Sequence, residues 1–387
     1  MPGHEAPTPT ASYAPADEAT KPSSPASGGS VDAAGPAEAE DDLALLAETR
    51  QTGEAVRRAV GEVIVGHRET VDHLLTAVYA GGHVLILGVP GLAKTLLIST
   101  LARSFELEYR RIQFTPDLMP SDITGAELLR DDGDAGGRGF GFVPGPIFAN
   151  MVLADEINRS PPKTQAALLE AMGERRVTAM GEARAIAEPF FVMATQNPLD
   201  HEGTYPLPEA QLDRFLCCLQ VDYPGRAEEI EIIHRATGRA GAPGGTIVSR
   251  DRLLAGQALA RRVPVARHLM TYAARLVRAT RPESPEAPDF VREWVAYGAG
   301  PRAGAHVVAA ARARAALRGR AFVSVDDVEA VCLPVLRHRV IPSFAARSTG
   351  VGADDVLLKL LRTVPADERL YRWPPADGQS GRAGSAD

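Results

Sequence analysis

A short loop that carries two glycines and ends in a lysine and a hydroxyl residue is the clearest chemical signal in this chain. Residues 88–95 read GVPGLAKT; they follow the apolar run Val84–Leu87 and precede a helical pattern. The N–H groups of such a loop and of a helix N-terminus bind anions, so the segment predicts a phosphate site. Lys94 is expected to reach the β- and γ-phosphates of a nucleotide, and Thr95 to bind Mg²⁺.

One position of this loop departs from the general phosphate-loop pattern, because Ala93 stands where glycine is usual. Alanine is small enough for a phosphate to approach, provided that its backbone avoids positive φ. Lys94 is one of only four lysines in an arginine-rich chain, and a point charge follows a phosphate better than a planar guanidinium does. On the loop alone, an ordinary strand-to-helix turn is the alternative.

Two acids follow a second apolar run, 151–154, about 60 residues after the loop. An acid at the end of a strand can hold Mg²⁺ through water, and the next acid can orient and deprotonate an attacking water. We therefore assign Asp155 to the metal and Glu156 to the water. The alternative is that both acids are solvated and cap a helix, a role that Asn158 and Ser160 could fill alone.

Three further polar residues follow the phosphate loop and the acid pair along the chain, in an order that favours a role in the same site. Asn197 follows the apolar run 190–194 and is expected to position water beside the γ-phosphate. Arg214 directly precedes another apolar run, 216–219, and is expected to face a neighbouring molecule. Arg302 opens a helix in the second half of the chain and could fold back onto the phosphates. Taken alone, each arginine is more typical of a surface salt bridge.

The elements that position these residues alternate along the chain. Short apolar runs separated by helical patterns (43–60, 68–79 and 95–105) predict buried parallel strands and a doubly wound α/β fold. After residue 224 the apolar runs stop, and 226–361 looks helical with breaks at 241–245, 281–288 and 298–304. We expect a P-loop α/β core followed by a smaller all-α lid domain. The predicted domains are a disordered acidic tail (1–42), the core (43–224), the helical domain (225–365) and a largely disordered C-terminal tail (366–387).

Composition narrows the class of protein. The chain has 387 residues, 45% hydrophobic and 24% charged, which is ordinary for a soluble globular protein, and neither a membrane span nor a signal peptide is predicted. Its three cysteines fit a reducing cytoplasm, which is the predicted location. The net charge of −7 lies entirely in residues 1–42, so the rest is neutral. The absence of a basic field argues against nucleic-acid binding.

The order of these elements resembles that of the AAA+ ATPases. The sequences of the motifs resemble those of the MoxR family, including the alanine at position 93. Besides the loop, the family-like strings are RIQFTPDLMPSDITG at 111–125, ADEINR at 154–159, KTQAALLEAM at 163–172 and ATQNP at 194–198. The resemblance covers about Glu48 to Leu361. It implies Walker A at 88–95, Walker B at 151–156, sensor 1 at Asn197, an arginine finger at Arg214 and sensor 2 at Arg302.

The resemblance also implies an adenine-contacting stretch at 63–66 and two hairpins, near 126–146 and near 175–187. The implied cofactors are ATP and Mg²⁺, with Thr95 and Asp155 as the metal residues. The implied nucleotide-binding residues are Val65, Gly66, Gly88, Val89, Pro90, Gly91, Leu92, Ala93, Lys94, Thr95 and Leu96.

The function implied by the resemblance is that of a ring-forming, Mg²⁺-dependent ATPase, usually a hexamer. Such proteins act as chaperone-like remodellers that mature a client complex, in some cases by inserting a metal cofactor, commonly with a von Willebrand factor A-type partner. The alternatives are a nucleic-acid or transcription-linked motor, a magnesium-chelatase-like motor subunit, and a nucleotide-gated scaffold with little turnover. The neutral core disfavours the nucleic-acid motor, and the MoxR-type strings disfavour the chelatase-like subunit. The intact acid pair disfavours the scaffold. The client is not identified.

Overall fold

The computed structural model describes residues 36–132, 137–179, 181–198, 203–237 and 245–367. The strands are β1 (Val84–Leu87), β2 (Tyr109–Gln113), β3 (Gly125–Asp132), β4 (Gly137–Pro144), β5 (Met151–Asp155), β6 (Arg176–Ala179), β7 (Glu182–Ala185), β8 (Phe191–Gln196), β9 (Cys217–Gln220), β10 (Val295–Tyr297) and β11 (Ile341–Pro342).

The helices begin with a long N-terminal element and become nearly continuous after β9. They are α1 (Pro36–Val63), α2 (Arg68–Ala80), α3 (Lys94–Arg103), α4 (Pro120–Thr124), α5 (Pro162–Glu174), α6 (Glu209–Leu212), α7 (Arg226–Thr237), α8 (Arg250–Arg262), α9 (Arg267–Ala279), α10 (Asp289–Trp294), α11 (Pro301–Leu317), α12 (Val325–Leu336), α13 (Phe344–Ser348) and α14 (Ala353–Thr363). A 3-10 turn, Ile157–Arg159, follows β5.

A five-stranded parallel sheet forms the centre of the first domain, in the order β2-β5-β8-β1-β9. Val84 at the start of β1 lies opposite Met193 on one side and Cys217 on the other. The apolar runs predicted as strands are β1, β5, β8 and β9, so the α/β prediction is confirmed. Strand β2 was not predicted, because at the sheet edge its arginines stay exposed while only Ile112 is buried.

The sequence boundaries need three corrections. Residues 36–42, assigned to the disordered tail, are the first turns of α1, where Asp42 accepts a hydrogen bond from Arg262 on α8 at 3.3 Å. The helical second domain also contains a small antiparallel ribbon, β10 with β11. Helix α11 starts at Pro301, as predicted for the helix that carries Arg302, so the expected break 298–304 ends at residue 300. Residues 1–35 and 368–387 of the two tails lie outside the described residues.

The second domain shares a hydrophobic core with the first. Helix α11 packs against α1 and α2 of the first domain and against α8, α9 and α12 of the second. Its buried face consists largely of alanines, among them Ala310, Ala311 and Ala315, and such small side chains allow neighbouring helices to approach closely. The two domains are therefore joined by packed apolar surface.

Both expected hairpins are present. Strands β3 and β4 pair antiparallel from Gly125 with Pro144 onwards, and β6 pairs with β7. The Arg184 guanidinium lies over the Phe142 ring at 3.8 Å, so the two hairpins contact each other. Among the described helices, none has the length and apolar character that crossing a bilayer requires.

His83, immediately before β1, is buried as a neutral side chain between strands and α5. Its Nδ1 accepts a hydrogen bond from the Val192 N–H at 3.0 Å, and its Nε2 lies 3.2 Å from the Met172 carbonyl, to which it donates. Burial lowers the pKa of His83 from 6.5 to about 4. The folded chain therefore excludes a proton that the unfolded chain binds as the pH falls below 6.5.

We expect the free energy of unfolding contributed by His83 to be complete above pH 6.5 and to be lost progressively as the pH falls towards 4. Urea unfolding at about pH 7.5 and about pH 5 measures this change. His83→Gln keeps an amide donor and acceptor but does not titrate, so its stability should depend less on pH. His268→Gln, on the exposed side of α9, is the control and should keep the wild-type dependence; an unchanged dependence in His83→Gln contradicts the prediction.

Candidate active site

The loop between β1 and α3 has the expected strand–loop–helix form. The Lys94 ammonium donates hydrogen bonds to the carbonyls of Gly88 and, at 2.8 Å, of Val89. Burial lowers the pKa of Lys94, and the nearby carboxylates of Asp155 and Glu156 oppose this shift. The lysine therefore stands at the mouth of the loop, facing the two acids.

Ala93 adopts the left-handed conformation, with φ 55°. The condition stated for a close phosphate approach, that the backbone of Ala93 avoids positive φ, is therefore not met. An alanine in this region costs about 1 kcal/mol relative to the right-handed region, because Cβ crowds the following carbonyl. The residue immediately precedes Lys94, so this local strain lies at the point where the chain turns from the loop into α3.

Asp155, at the end of β5, is buried and bonded through both carboxylate oxygens. Its Oδ2 accepts from Thr95 Oγ1 at 3.0 Å and from Arg111 Nη2 at 2.7 Å. Its Oδ1 accepts from Thr195 Oγ1 at 2.6 Å. Thr95 and Asp155, which come from opposite ends of a 60-residue segment, are thus brought together as the sequence analysis expected.

Glu156 is held at both its backbone and its side chain. Its N–H donates to Thr195 Oγ1 at 2.9 Å, and its Oε2 accepts from Gln113 Nε2 at 3.1 Å. The Arg159 Nε lies 3.2 Å from the same oxygen. Thr195 therefore bonds the Asp155 carboxylate and the Glu156 backbone at once, which fixes the two acids relative to each other.

Two residues of β2 that complete this network were given no role from the sequence. Arg111 donates to both Asp155 and Gln113, the latter at 2.6 Å, and Gln113 in turn donates to Glu156. Residues two apart on a strand share a face, so the pair lies side by side. The sequence signal for these two residues was the alternation of polar residues 111 and 113 with the apolar Ile112. This alternation indicates a role at the site only when β2 is known to pair with β5.

Asn197 follows β8 and lies in the same cavity as the residues above. This cavity, of about 420 Å³, is lined by Pro90, Gly91, Leu92, Ala93, Lys94, Thr95, Leu96, Arg111, Gln113, Asp155, Glu156, Thr195 and Asn197. The Asn197 carbonyl accepts from Asn158 Nδ2 at 3.3 Å. The loop, the two acids and the amide at the end of β8 therefore form one site.

A second cavity, of about 610 Å³, continues from residues 91–93 to the stretch 62–67 and α7. Val65 lines it; Gly66 lines an adjoining cavity and has φ +74°, and a Cβ there would lie 2.6 Å from Glu228. Arg235 on α7, also unassigned from the sequence, donates to the Glu62 carbonyl at 2.8 Å. This bond holds the end of α7 against the end of α1, at the wall of the cavity.

Neither cavity contains Arg214 or Arg302. Arg214 precedes β9, and the Leu216 N–H donates to the His83 carbonyl just before β1 at 2.8 Å. Arg214 thus lies at the amino end of the strands, whereas the loop follows the carboxyl end of β1, about 13 Å away along four residues. The Arg214 guanidinium donates to the Leu169 carbonyl on α5.

Arg302 lies at the same end of the sheet as Arg214. Its Nη1 is 3.1 Å from Asp213 Oδ2, and its side chain is exposed. The structure therefore brings Lys94, Thr95, Asp155, Glu156 and Asn197 together and sets the two arginines apart from them.

Comparisons with known proteins agree with this architecture. Residues 83–217 match the profile of the "ATPase family associated with various cellular activities (AAA)", and residues 289–359 match the AAA lid domain. "Chaperone MoxR1" of Mycobacterium tuberculosis is 45% identical over 312 residues, 80% of this chain and 81% of that protein. "Uncharacterized protein YeaC" of Bacillus subtilis is 39% identical over 81% of this chain and 93% of that protein.

A solved structure shows the same fold. The crystal structure described as "a putative ATPase" from Cytophaga hutchinsonii aligns with a TM-score of 0.77 and 37% identity, covering 85% of this chain and 98% of that one.

We expect Thr195→Val to lower kcat for ATP hydrolysis by about 10- to 100-fold, because it removes the hydroxyl that bonds Asp155 and the Glu156 backbone. Valine keeps the shape of threonine, so nucleotide affinity should change much less. Steady-state hydrolysis and nucleotide titration measure the two effects. Thr195→Ser retains the hydroxyl and should stay near wild type; a serine variant as impaired as the valine variant contradicts this role.

Proposed function

This chain belongs to the MoxR family of AAA+ ATPases, and from that premise we propose that it hydrolyses Mg-ATP as a head-to-tail ring and uses the turnover to remodel a client protein complex. The observation that carries the proposal is the separation of Arg214 and Arg302 from the nucleotide cavity. One chain supplies the phosphate loop and the acids at one end of its sheet and two arginines at the other.

The residues of the larger cavity fit an adenine and ribose, and those of the smaller cavity fit the phosphates. Val65, Gly66 and α7 enclose the apolar part, and residues 88–96 surround the phosphate part. Thr95 and Asp155 converge as hard oxygen donors of the kind that Mg²⁺ prefers. These two residues would hold Mg²⁺, which would supply positive charge to neutralise part of the charge of the phosphates.

Within this site the protein groups have distinct roles in the proposed hydrolysis. Glu156, held by Gln113 and close to Arg159, orients the attacking water and takes its proton. Asn197 positions the same water, and Lys94 stabilises the negative charge on the β- and γ-phosphates. Thr195 keeps the two acids in register while the water attacks.

The two arginines complete the site of the next subunit in this proposal. The end of the sheet that carries Arg214 and Arg302, here called the donor edge, would meet the nucleotide site of the next subunit in a heterologous interface. Such an interface generates a ring when the rotation between subunits closes. Six subunits is the ring size that we propose. Arginines supplied by a neighbour stabilise the charge that develops on the transferred phosphoryl group and can contribute about 10³- to 10⁵-fold in rate.

The proposed work of the ring is the maturation of a client complex, and one similar protein is itself called a chaperone. The hairpins β3–β4 and β6–β7 are separate from the five-stranded sheet and contact each other through Arg184 and Phe142, which supports a joint role in client contact. A von Willebrand factor A-type partner, metal insertion into the client and a cytoplasmic location complete the proposal. The three cysteines are free and buried, in keeping with that location.

We expect Arg214→Ala to lower ATP turnover by about 10³-fold or more while leaving the Kd for ATP within about threefold of wild type, because the arginine serves the neighbour's transition state. Glu156→Gln should lose turnover and also retain binding. Hydrolysis measured against protein concentration, together with nucleotide titration, checks both. Arg50→Ala, which removes an exposed ion pair with Glu54 on α1, is the control and should behave as wild type.

Equal loss of turnover and ATP binding in Arg214→Ala would contradict the role of this arginine. Mixing Arg214→Ala with Glu156→Gln provides the second test, because each variant supplies what the other lacks. Recovery of hydrolysis in the mixture is the expected result, and an inactive mixture that still forms rings would overturn donation between subunits.

A further inference from the structure

Arg339, three residues after α12, is a buried arginine at the contact between the two domains. Its guanidinium reaches the segment that precedes β9 and bonds it repeatedly. Nε donates to Asp213 Oδ1 at 2.8 Å, and Nη2 donates to the carbonyls of Phe215 at 2.6 Å and Asp213 at 3.1 Å. Nη1 donates to the Leu216 carbonyl at 3.3 Å. Only 7% of the residue is exposed.

The partners of Arg339 lie on both sides of Arg214 in the chain. The backbone is therefore fixed immediately before and immediately after this residue, while the Arg214 side chain is itself exposed. We call the bonds from Arg339 to residues 213, 215 and 216 the clamp. His338 adds to it, because its Nε2 lies 3.3 Å from the Phe215 carbonyl and donates to it. The segment 213–216 is thus attached to the second domain by backbone bonds that do not involve the arginine side chain between them.

Asp213 connects the clamp to the second arginine. Its Oδ1 accepts from Arg339, and its Oδ2 lies 3.1 Å from Arg302 Nη1. One carboxylate therefore sets the position of the Arg302 side chain and receives the buried guanidinium. Both arginines that are expected to reach the neighbouring subunit are in this way held by Arg339, one through the backbone and the other through Asp213.

We propose that Arg339 is a positioning residue for catalysis in the neighbouring subunit, which fixes Arg214 and Arg302 at the donor edge without touching the nucleotide. This inference rests on the proposed donation of these arginines between subunits. Arg339, a buried residue of the helical domain, then determines the catalytic rate at the neighbouring subunit's site. It has no part in the nucleotide site of its own chain.

The chemistry of the clamp requires a guanidinium. Its three nitrogens, which lie in one plane, bond five protein oxygens when the Val335 carbonyl on α12 is included. Arg339 Nη2 also lies 2.7 Å from His306 Nδ1, which accepts from it as a neutral ring. A lysine has a single nitrogen and cannot bond these groups together. Burial and the adjacent Arg339 lower the pKa of His306 to about 4, which keeps this acceptor available near neutral pH.

The test uses Arg339→Lys in the full chain, because lysine preserves the charge opposite Asp213 and limits the loss of stability. We expect kcat to fall by about 10- to 100-fold, the range seen when residues that orient catalytic groups are changed. The Kd for ATP should remain close to wild type, while the thermal midpoint falls because buried carbonyls lose their donors. Arg337→Lys is the matched control, since the Arg337 guanidinium forms a similar fork two residues earlier but bonds to Asp354 of the same domain. This variant should keep wild-type turnover.

Mixing with Glu156→Gln separates positioning of the donor edge from damage to the chain's own site. Arg339→Lys subunits retain a competent site, and Glu156→Gln subunits retain a competent donor edge. Random assembly of equal amounts places these two together at about one interface in four, so the mixture should recover up to about a quarter of wild-type turnover. The mixture of Arg214→Ala with Glu156→Gln is run in parallel.

Each result has one meaning. Recovery in both mixtures supports the proposal. Recovery with Arg214→Ala but not with Arg339→Lys overturns it, because Arg339 would then act on its own site or on folding alone. Failure of both mixtures overturns donation between subunits and the positioning role with it. An Arg339→Lys chain that does not fold, or does not assemble with Glu156→Gln, assigns Arg339 to stability alone and likewise overturns the proposal.

Discussion

All five strands of the central sheet run in the same direction, and this gives the sheet two chemically different ends. The carboxyl ends of β1, β5 and β8 lead into the phosphate loop, the acid pair and Asn197. The amino end of β9 follows Arg214, and Asp213 there meets Arg302. Each strand separates its ends by about 13 Å, so the two arginines lie apart from the phosphate loop and the acids of the same chain. The proposed donation between subunits is based on this separation.

The charged groups at the carboxyl end are held by bonds from several elements. Asp155 is buried, and a buried carboxylate is costly unless its oxygens are bonded. Thr95 from α3, Thr195 from β8 and Arg111 from β2 supply those bonds. The position of the acid therefore depends on the packing of three elements around β5. This explains why small polar residues outside the recognised motifs belong to the site.

The parts that the sequence predicted share a local signal. Strands β1, β5, β8 and β9 are buried on both faces and read as apolar runs, and the loop at 88–95 is a contiguous motif. Strand β2 lacks that signal because it lies at the edge of the sheet. Thr195 bonds Asp155, 40 residues away, and Arg339 bonds Asp213, 126 residues away. A local sequence pattern cannot predict contacts between residues so far apart in the chain. The conformation of Ala93 was also beyond local reasoning, since surrounding structure overrides its intrinsic preference.

In the proposed ring, the second domain contributes to two nucleotide sites by different means. Through Arg235, α7 is attached at the wall of the chain's own cavity, while α11 and the end of α12 hold the donor edge through Arg302 and Arg339. Helix α11 also packs into the core that both domains share, and a close-packed core resists gradual deformation. The donor edge is therefore coupled to the body of its own subunit. In the proposed ring, the backbone that carries both arginines therefore moves with the body of its own subunit, because a shift of that backbone alone would require repacking of the core.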